Sequence, residues 1–247
     1  MRKGEIKMNK IWEKEYYLRA RDFDKFGNIK ASNVLELFED AAGQHGEELG
    51  VGFDDMLKKN YMWAIVRTKF EIISAPKKYQ KVIIKTWPLK ANRLSYRREC
   101  VIEDEKGNKL IIGSSEWVVI DCDKRKFVMG EDVYPFTEGF LEEKNFEGKL
   151  PRIRDFETVG EPFKVRPRFC ELDMNNHVNN TKYPEFVFDA INPQQAFEIK
   201  DFLIEYKKEI LSEMEIDIFF IENEKEIMAK GQNSDGEIMF DCRITYK

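Results

Sequence analysis

Long hydrophobic runs are absent from this sequence. The longest apolar stretch, residues 216–221, is interrupted by Asp217, whereas a membrane-spanning helix needs about 20 consecutive apolar residues. The basic start at residues 1–7 is not followed by an apolar segment, so we expect no secretory signal. A Ser-rich, Arg-rich and acid-poor transit segment is missing as well. We therefore expect a cytoplasmic protein of bacterial type that makes no use of a membrane.

Histidine and cysteine are scarce, which limits the chemistry that is open to the chain. The histidines are His45 and His177, and the four cysteines form no C-x-x-C pair. Because no ligands lie at metal-binding spacing, we expect no zinc site, no other metal and no cofactor. Without a secretory signal, we expect reduced thiols rather than disulfides. The sequence also lacks a G-x-S-x-G motif and a phosphate-binding loop, which argues against an α/β-hydrolase and a P-loop enzyme.

Neither sign of charge is in large excess. Lys and Arg number 41 against 46 Asp and Glu, which gives a net charge of -5 at pH 7. This mild acidity argues against a protein that coats nucleic acid. Hydrophobic residues make up 42% of the 247 positions, so the chain has enough apolar material for a folded core.

The first 125 residues predict one long helix followed by about four strands. Apolar residues recur at three- and four-residue spacing over residues 32–49, with Ser32 as the expected N-cap and Gly50 as the expected stop. Alternating patterns predict strands at residues 63–73, 81–87, 97–103 and 110–122. The short connections between them favour an antiparallel sheet.

The pattern is lost over residues 123–164 and then returns. Prolines punctuate this charged stretch, which we interpret as a crossing linker that could hold a short helix. Beyond it, a nearly all-apolar segment predicts a buried helix at residues 181–191. Four further strands are predicted at residues 202–208, 215–222, 226–232 and 238–246. We divide the chain into an N-terminal unit at 1–134, a linker at 135–164 and a C-terminal unit at 165–247.

A helix followed by strands occurs twice, which suggests a duplicated unit. An ungapped offset of 149 residues (173 − 24) sets residues 23–41 against residues 172–190 and pairs Asp24 with Asp173. The copies differ in the turn before the helix, where Phe26 and Asn28 of the first copy face Asn175 and His177 of the second. We infer that the second copy keeps a chemistry that the first copy lacks.

The turn before the second helix is therefore the candidate site. Asn175 and His177 alternate along the chain, so an extended turn would project their side chains to one side, and Asp173 could orient one of them. The N–H groups at the start of the following helix could polarise a carbonyl oxygen. The residues alone leave an alternative open, in which this is an Asn-rich cap and His177 is only a hydrogen-bonded structural residue.

Two segments of the second half carry a resemblance to a known family. They are Asp173-x-Asn175-x-His177-Val178-Asn179-Asn180-x-x-Tyr183 and Tyr206-Lys207-Lys208-Glu209. Together they resemble the signature of acyl-acyl carrier protein thioesterases, the plant FatA and FatB type with its bacterial relatives. The first half is similar to family segments in the same order, at Trp63-Ala-Ile-Val-Arg67, Trp87 and Glu116-Trp117-Val118 followed by Lys124-Arg125-Lys126. The resemblance covers roughly residues 10–247.

The resemblance implies an α+β protein of two tandem hotdog folds, each a long helix packed on an antiparallel sheet. It implies hydrolysis of the thioester of acyl-acyl carrier protein, which releases a free fatty acid and ends chain elongation. The implied catalytic residues are Asp173, Asn175, His177 and Glu209. The family's cysteine after that glutamate is Ile210 here, so a nucleophilic thiol is excluded at this position and Cys170 is the only fallback.

We expect a general-base mechanism in which Glu209 or His177 deprotonates a water. Asn175 is expected to hold the water or the thioester, and Asp173 to fix the geometry of the loop. The thioester carbonyl is expected near the N-terminus of the helix at 181–191, polarised by backbone N–H groups.

The resemblance also implies an acyl pocket in the first unit and an acidic partner. The candidates for the pocket are Phe38, Met56, Met62, Trp63 and Ile65. The partner is an acyl carrier protein with a phosphopantetheine-linked acyl chain, for which a basic patch is needed. Candidates for that patch are Arg93, Arg97, Arg98 and residues 124–126. We expect His45, on the apolar stripe of the first helix, to be a core residue, and a homodimer stays open.

Three alternatives to this function remain at the level of sequence. Two are enzymes, namely an acyl-CoA thioesterase and a hotdog dehydratase, which would eliminate water without releasing a thiol. The third is an acyl-binding module that has lost catalysis, an alternative for which the replacement of the family's cysteine by Ile210 leaves room.

Overall fold

The computed structural model describes residues 11–92, 95–128, 134–136 and 138–247. In these residues one antiparallel sheet of eleven strands packs against three α-helices. The helices are Ala31–Glu48 (α1), Phe53–Lys58 (α2) and Tyr183–Ile191 (α3). The strands are Trp12–Tyr17 (β1), Tyr61–Ile72 (β2), Lys81–Pro88 (β3), Tyr96–Asp104 (β4), Lys109–Asp121 (β5), Lys126–Val128 (β6), Phe163–Val165 (β7), Ile199–Tyr206 (β8), Ile216–Asn223 (β9), Glu226–Asn233 (β10) and Ile238–Tyr246 (β11). The predicted α+β class with an antiparallel sheet is confirmed.

The order of the strands across the sheet is the same in the two halves of the chain. From one edge it runs β1-β3-β4-β5-β2, and from the opposite edge it runs β7-β9-β10-β11-β8. The two series meet where β2 and β8 pair antiparallel, with Arg67 opposite Glu205 and Phe70 opposite Phe202. The short strand β6 lies outside this path and pairs with β5. Each half thus contributes five strands in one order and joins the other half through its second strand.

The join between β2 and β8 is buried and combines apolar with charged contacts. The rings of Phe70 and Phe202 are stacked, with centroids 4.9 Å apart. The Arg67 guanidinium lies 2.6 Å from a carboxylate oxygen of Glu205 and 2.7 Å from one of Glu116. Since one hydrophobic cluster takes side chains from both halves, the halves share a core.

The first helix begins one residue earlier than predicted. Lys30 is extended, with its N–H bonded to the carbonyl oxygen of Asp22, and α1 starts at Ala31 directly after it. Ser32 lies inside the first turn and is buried, so the prediction that it caps the helix is wrong. At the other end Gly50 has a φ of +69°, a left-handed conformation that favours glycine. The predicted stop is confirmed.

The eight predicted strands are present as β2 to β5 and β8 to β11, and all but β11 have at least one end shifted. Four further elements escaped prediction, namely β1, α2, β6 and β7. Strands β6 and β7 have only three residues each, and β1 buries only Trp12. Helix α2 has six residues. None of these elements is long or regular enough for hydrophobic periodicity to reveal it.

The stretch predicted as a linker that could hold a short helix has no helix in its described residues. Side-chain hydrogen bonds attach it to the sheet instead. Arg97 of β4 donates to the carbonyl oxygens of Phe146 and Gly148, at 2.6 and 2.7 Å. The side-chain amide of Asn145 donates to the carbonyl oxygen of Cys100, at 2.9 Å. An irregular segment can lie on a protein in this way because its polar groups are satisfied by side chains.

The second helix begins with a 3₁₀ turn over Asn180–Lys182 and continues as α3. Pro184 lies in the first turn of α3, where a proline costs no hydrogen bond. One face of α3 is buried, whereas Asp189 is exposed. The expectation of a helix buried nearly all round is therefore corrected.

The described residues bear on a membrane span and on the state of the cysteines. No helix there is both long and apolar enough to cross a membrane. The cysteines Cys100, Cys122, Cys170 and Cys242 are free thiols, as predicted.

Candidate active site

A tight turn over residues 173–178 carries three of the four predicted site residues. Oδ1 of Asp173 accepts hydrogen bonds from the backbone N–H groups of Asn175, at 2.8 Å, and His177, at 3.1 Å. The N–H of Asp173 in turn donates to the carbonyl oxygen of His177, at 2.7 Å. Asn176 has a φ of +61°, which asparagine tolerates better than most residues. The carboxylate of Asp173 is thus used to build the turn.

The same turn occurs in the first half of the chain. Oδ1 of Asp24 accepts from the backbone N–H groups of Phe26, at 2.8 Å, and Asn28, at 2.9 Å. The left-handed position is Gly27, with a φ of +87°. The 3₁₀ helices before the two turns, Ala20–Asp22 and Phe169–Glu171, are also 149 residues apart (169 − 20). The offset of 149 residues found in the sequence therefore relates two turns with the same backbone geometry. The two turns carry different side chains.

Glu209, the fourth predicted residue, lies beside this turn. It follows the end of β8 at Tyr206, and its Oε1 is 3.8 Å from Nδ1 of His177. The side chain of His177 is 21% exposed and that of Glu209 is 42% exposed. The two groups therefore meet at a surface that substrate and water can reach.

Backbone contacts hold the segment of Glu209 against the turn. The N–H of Val178 donates to the carbonyl oxygen of Ile210, at 2.8 Å, and His177 forms a β-bridge with Leu211. The side chain of Ile210 is fully buried. Ile210 therefore acts through its backbone and its packing.

Two tyrosines, of which Tyr183 is buried and Tyr206 is half-buried, support the site through their hydroxyl groups. The hydroxyl of Tyr183 accepts a hydrogen bond from the N–H of Ile210, at 3.2 Å, and the hydroxyl of Tyr206 donates to the carbonyl oxygen of Asn180, at 3.2 Å. Burial raises the pKa of both phenols above the ordinary value of 10. Both tyrosines are thus neutral supports near neutral pH.

The first half of the chain also reaches the site, through Arg125. This residue lies in the turn between β5 and β6, and its guanidinium is 3.5 Å from Oε2 of Glu209. Its φ is +51°, which is uncommon for a residue that is not glycine. Glu209 is therefore flanked by an imidazole from its own half and a guanidinium from the other half.

The start of the second helix offers fewer free donors than predicted. The N–H of Thr181 donates to the side chain of Asn179, at 2.9 Å, and the N–H of Lys182 to the carbonyl oxygen of Asn179, at 2.8 Å. The N–H of Tyr183 donates to the carbonyl oxygen of Asn180. For these three groups the expectation that they polarise a substrate carbonyl is corrected, because capping contacts already engage them.

A cavity of about 1140 Å³ opens next to His177 and Glu209 and spans both halves of the chain. Its walls come from α1, the first-half sheet, the turn at 173–178 and the end of β8. Residues from the second half include Asp173, Asn175, His177, Asn180, Tyr183, Tyr206 and Glu209. Residues from the first half include Glu39, Gly43, Met62, Trp63, Ile65, Leu89, Tyr96, Trp117, Arg125 and Tyr134. The cavity is large enough for an extended small ligand.

Three of the five predicted pocket residues line this cavity, namely Met62, Trp63 and Ile65. Phe38 and Met56 do not. The ring of Phe38 lies over Gly113, where an added Cβ would come within 2.1 Å of it. Met56 packs in a separate buried cluster with Val119. An apolar pattern marks burial and does not distinguish a cavity wall from a packed core, which explains the error.

The predicted basic patch is only partly at the surface. Arg98 is 9% exposed, and the side chain of Arg97 is 11% exposed and bound to Glu99. Lys124 is exposed but paired with Asp121, at 3.0 Å. Arg93 lies outside the described residues. A docking role for Arg97 and Arg98 is therefore wrong, because burial removes them from the reach of a partner protein.

Two other predicted residues take the positions that were expected. His45 is fully buried, with Nδ1 3.0 Å from a guanidinium nitrogen of Arg98, which confirms a core histidine. Cys170 is exposed in the 3₁₀ helix before the turn. Among the described residues, no group of three or more His, Cys, Asp and Glu side chains is placed to hold a metal ion.

Sequence reasoning missed Glu39 and Tyr206 as parts of the cavity and gave Arg125 a docking role only. For Glu39 a signal was present, since a carboxylate precedes Ala42 and Gly43 at helical spacing on the apolar side of α1. A carboxylate on a buried helix face is costly unless it is paired or reaches solvent, which favours a position beside a cavity. The contact between Arg125 and Glu209 had no signal in the sequence.

Two family models together match most of the chain. The model of the acyl-ACP thioesterase N-terminal domain matches residues 9–134, and that of the C-terminal domain matches residues 157–247. The N-terminal match alone covers half of the chain. The two matches follow each other in the order of the family's own domains.

Plant proteins resemble the chain over most of its length. Oleoyl-acyl carrier protein thioesterase 2 of Arabidopsis thaliana, a chloroplastic protein, is 25% identical over 91% of this chain. Dodecanoyl-[acyl-carrier-protein] hydrolase of Umbellularia californica, also chloroplastic, is 24% identical over 81% of it. The chain spans 67% of the first of these relatives and 56% of the second.

Solved structures share the fold. An acyl-ACP thioesterase from Bacteroides thetaiotaomicron superposes with a TM-score of 0.87 at 23% identity, covering 97% of this chain and 98% of that one. The 12:0-ACP thioesterase of Umbellularia californica gives a TM-score of 0.83 at 20% identity, covering 96% and 97%. With both domain models matched in order, the chain belongs to the acyl-ACP thioesterase family.

Proposed function

We propose that the protein hydrolyses the thioester of acyl-acyl carrier protein, releasing a free fatty acid and ending elongation of the chain. The observation that carries the proposal is the pair of His177 and Glu209, 3.8 Å apart beside a cavity of about 1140 Å³. The family matches over both parts of the chain support the same conclusion. The named relatives act on acyl-acyl carrier proteins.

We further propose that the architecture is a double hotdog. The N-terminal unit occupies residues 1–134, a linker residues 135–164 and the C-terminal unit residues 165–247. The repeated order of five strands supports this division, as does the turn that recurs after 149 residues. Each unit places a helix against its own strands, α1 on β3 and α3 on β9.

In the proposed reaction, a water attacks the carbonyl carbon of the thioester. Glu209 or His177 takes a proton from this water as the O–C bond forms, and the C–S bond then breaks. The proton passes to the departing sulfur, so the products are a carboxylic acid and a thiol. The present gap of 3.8 Å between the two groups is compatible with this role, because catalytic hydrogen bonds often tighten only when substrate binds.

Asp173 and Asn175 have supporting roles in this mechanism. Because the Asp173 carboxylate already accepts two backbone hydrogen bonds, we assign it to positioning His177 and not to proton transfer. Asn175 lines the cavity, and its side-chain amide makes only a long contact of 3.4 Å to Asp173. That amide is available to hold the water or the thioester.

The cavity is proposed to hold the acyl chain, and the partner is an acyl carrier protein with a phosphopantetheine arm. Met62, Trp63 and Ile65 supply apolar wall in the first half. Arg125 supplies an exposed cation at the mouth of the site. A basic group at this point suits an acidic carrier, since complementary charge speeds encounter.

The proposal is tested by measuring thiol release from acyl carrier protein loaded with acyl chains of different lengths, with the matching acyl-CoA series in parallel. We expect release from the carrier-linked series and a loss of at least about 100-fold in His177→Ala and Glu209→Gln, which remove the proposed base or its partner. Release from acyl-CoA alone would favour a CoA thioesterase. Absence of thiol release from both series would overturn hydrolysis and favour a dehydratase or a binding module.

A further inference from the structure

One carboxyl group of the cavity comes from the first half and has no role in the mechanism above. Glu39 lies on the side of α1 that faces the cavity, together with Ala42, Gly43 and Gly46. The three small residues leave space along the helix. Glu39 is therefore the one long polar side chain on this wall, among the described residues that line the cavity.

The carboxyl group of Glu39 is poorly satisfied by the protein. Its Oε1 is buried and has no hydrogen-bond partner among the described residues. A buried polar atom without a partner costs free energy, so a retained one calls for a ligand or a water. The residue as a whole is half-buried and borders the cavity, which gives such a ligand access.

Glu39 borders the same cavity as the proposed catalytic residues His177 and Glu209. Burial, the charge of Glu36 and the charge of Asp173 raise the pKa of Glu39 to about 8. Glu39 in turn raises the pKa of Tyr206. The carboxyl group is thus mostly protonated at neutral pH and carries an O–H that can donate.

A thioester carbonyl bound here needs such a donor. Of the backbone N–H groups from Asn175 to Tyr183, all but that of Asn180 donate to acceptors within the protein. Hydrogen-bond donors aimed at the carbonyl oxygen are a large source of rate enhancement in acyl transfer. The segment that carries His177 therefore leaves room for a donor from another element.

We propose that Glu39 is a further residue of the active site, where its neutral carboxyl group donates a hydrogen bond to the carbonyl oxygen of the bound thioester. The proposal rests on the proposed function. Both halves would then contribute to the active site. Glu39 on α1 supplies the hydrogen-bond donor, and His177 and Glu209 in the second half activate the water.

The proposal has a consequence for pH dependence. The groups that interact electrostatically with Glu39 are Glu36 on α1, Asp173 in the turn and Tyr206 on β8, and His177 and Glu209 border the same cavity. When Glu39 loses its proton, the donor is lost and a negative charge faces the carbonyl oxygen. Turnover should therefore fall on the alkaline side, with a midpoint near pH 8.

The test compares kcat/KM of Glu39→Leu and Glu39→Gln across pH on acyl carrier protein loaded with a dodecanoyl or oleoyl chain. Leucine removes the donor, and we expect a loss of about 100-fold or more. Glutamine keeps a donor that does not titrate, so it should retain most of the activity and lose the alkaline fall that has its midpoint near pH 8. Melting temperatures serve as the check on folding. At pH 8 neither variant should be less stable than the wild type, because a buried group that ionises is replaced by one that stays neutral.

Controls separate this proposal from the proposed function. Asp40→Asn removes one charge from the exposed side of the same helix and should change neither rate nor pH profile. If the wild type is active and His177→Ala is not, hydrolysis stands. Glu39 is then excluded if Glu39→Leu retains wild-type turnover, if Glu39→Gln is as inactive as Glu39→Leu, or if Glu39→Gln keeps the wild-type alkaline fall.

Discussion

The turns at residues 24–29 and 173–178 have one backbone geometry and two different sets of side chains. In each, an aspartate accepts two backbone hydrogen bonds and a left-handed residue follows three positions later. The first turn carries Phe26 and Asn28, and the second carries Asn175 and His177. The comparison teaches that the aspartate belongs to the scaffold, while the proposed chemistry depends on the residues mounted two and four positions after it.

The largest effect is expected when the second turn is given the side chain of the first. His177→Asn reproduces the residue at position 28, and we expect turnover to fall at least about 100-fold because the imidazole is lost. The melting temperature should stay close to that of the wild type, since Asn occupies the same turn in the first half. Thiol release and a thermal melt measure the two quantities. The matched control is Asn28→Ala, which should leave turnover unchanged, and a large loss there would break the comparison.

The next prediction concerns the two aspartates, which both stabilise a turn, although only Asp173 stands in the turn that carries His177. Asp24→Ala and Asp173→Ala each remove the acceptor of two backbone N–H groups, so each should cost about 1–3 kcal/mol of unfolding free energy. Only Asp173→Ala should also reduce turnover, by about tenfold or more, because His177 loses its position. Denaturant unfolding and thiol release per folded molecule measure the pair of outcomes. Equal turnover in the two variants would contradict a positioning role for Asp173.

A smaller effect on kcat/KM is expected from Arg125, the residue of the first half that contacts Glu209. Arg125→Gln removes the guanidinium beside Glu209, and kcat/KM should fall about two- to fivefold, because an exposed ion pair contributes roughly 0.5–1 kcal/mol. Lys126→Gln, next to it in β6, should have no such effect. The measurement is kcat/KM at low and moderate salt. If kcat/KM falls equally in the two variants, the contact of Arg125 with Glu209 does not contribute to turnover.

The last comparison concerns equivalent helix positions, the titratable Glu39 on α1 and the apolar Phe188 on α3 (39 + 149). The pKa of Glu39 is raised in the folded state from 4.5 to about 8, so the stability linked to its proton is present below pH 4.5 and is lost as pH rises to about 8. Glutamine does not titrate. The melting temperature of Glu39→Gln minus that of the wild type should therefore increase from pH 4.5 to pH 8, as measured by thermal melts. An unchanged difference would mean that Glu39 is charged in the folded protein.

The sequence predicted long, regular elements and local turns well, because their signals are local. The stripe on α1, the eight longer strands and the turn at 173–178 follow from spacing within a few residues. The pairing of Glu209 with His177 was expected only through the family resemblance, since 32 residues separate them (209 − 177). The fold of the sheet brings such distant residues together, and no pattern within a few residues of the sequence indicates that they are close.

Other features of the site could not be predicted for the same reason. Arg125 of the first half contacts Glu209 of the second. The side chain of Asn179 accepts a hydrogen bond from an N–H at the start of the second helix, and only the three-dimensional structure shows that this donor is occupied. Phe38 and Met56 were misassigned to the pocket because burial in a packed core and burial beside a cavity have one sequence pattern. Arg97 and Arg98 were misassigned to the surface because charge alone does not report burial.

The antiparallel pairing of β2 with β8 has a consequence for how the protein behaves on dilution. It brings Arg125 to Glu209 and places Glu39 on the wall of the cavity that His177 and Glu209 border. Both contributions come from a single polypeptide, at an effective local concentration that no assay condition alters. Specific activity should accordingly be constant down to the lowest enzyme concentration at which it can be measured. Two identical chains that had to meet before forming such a centre would instead lose activity as they separated.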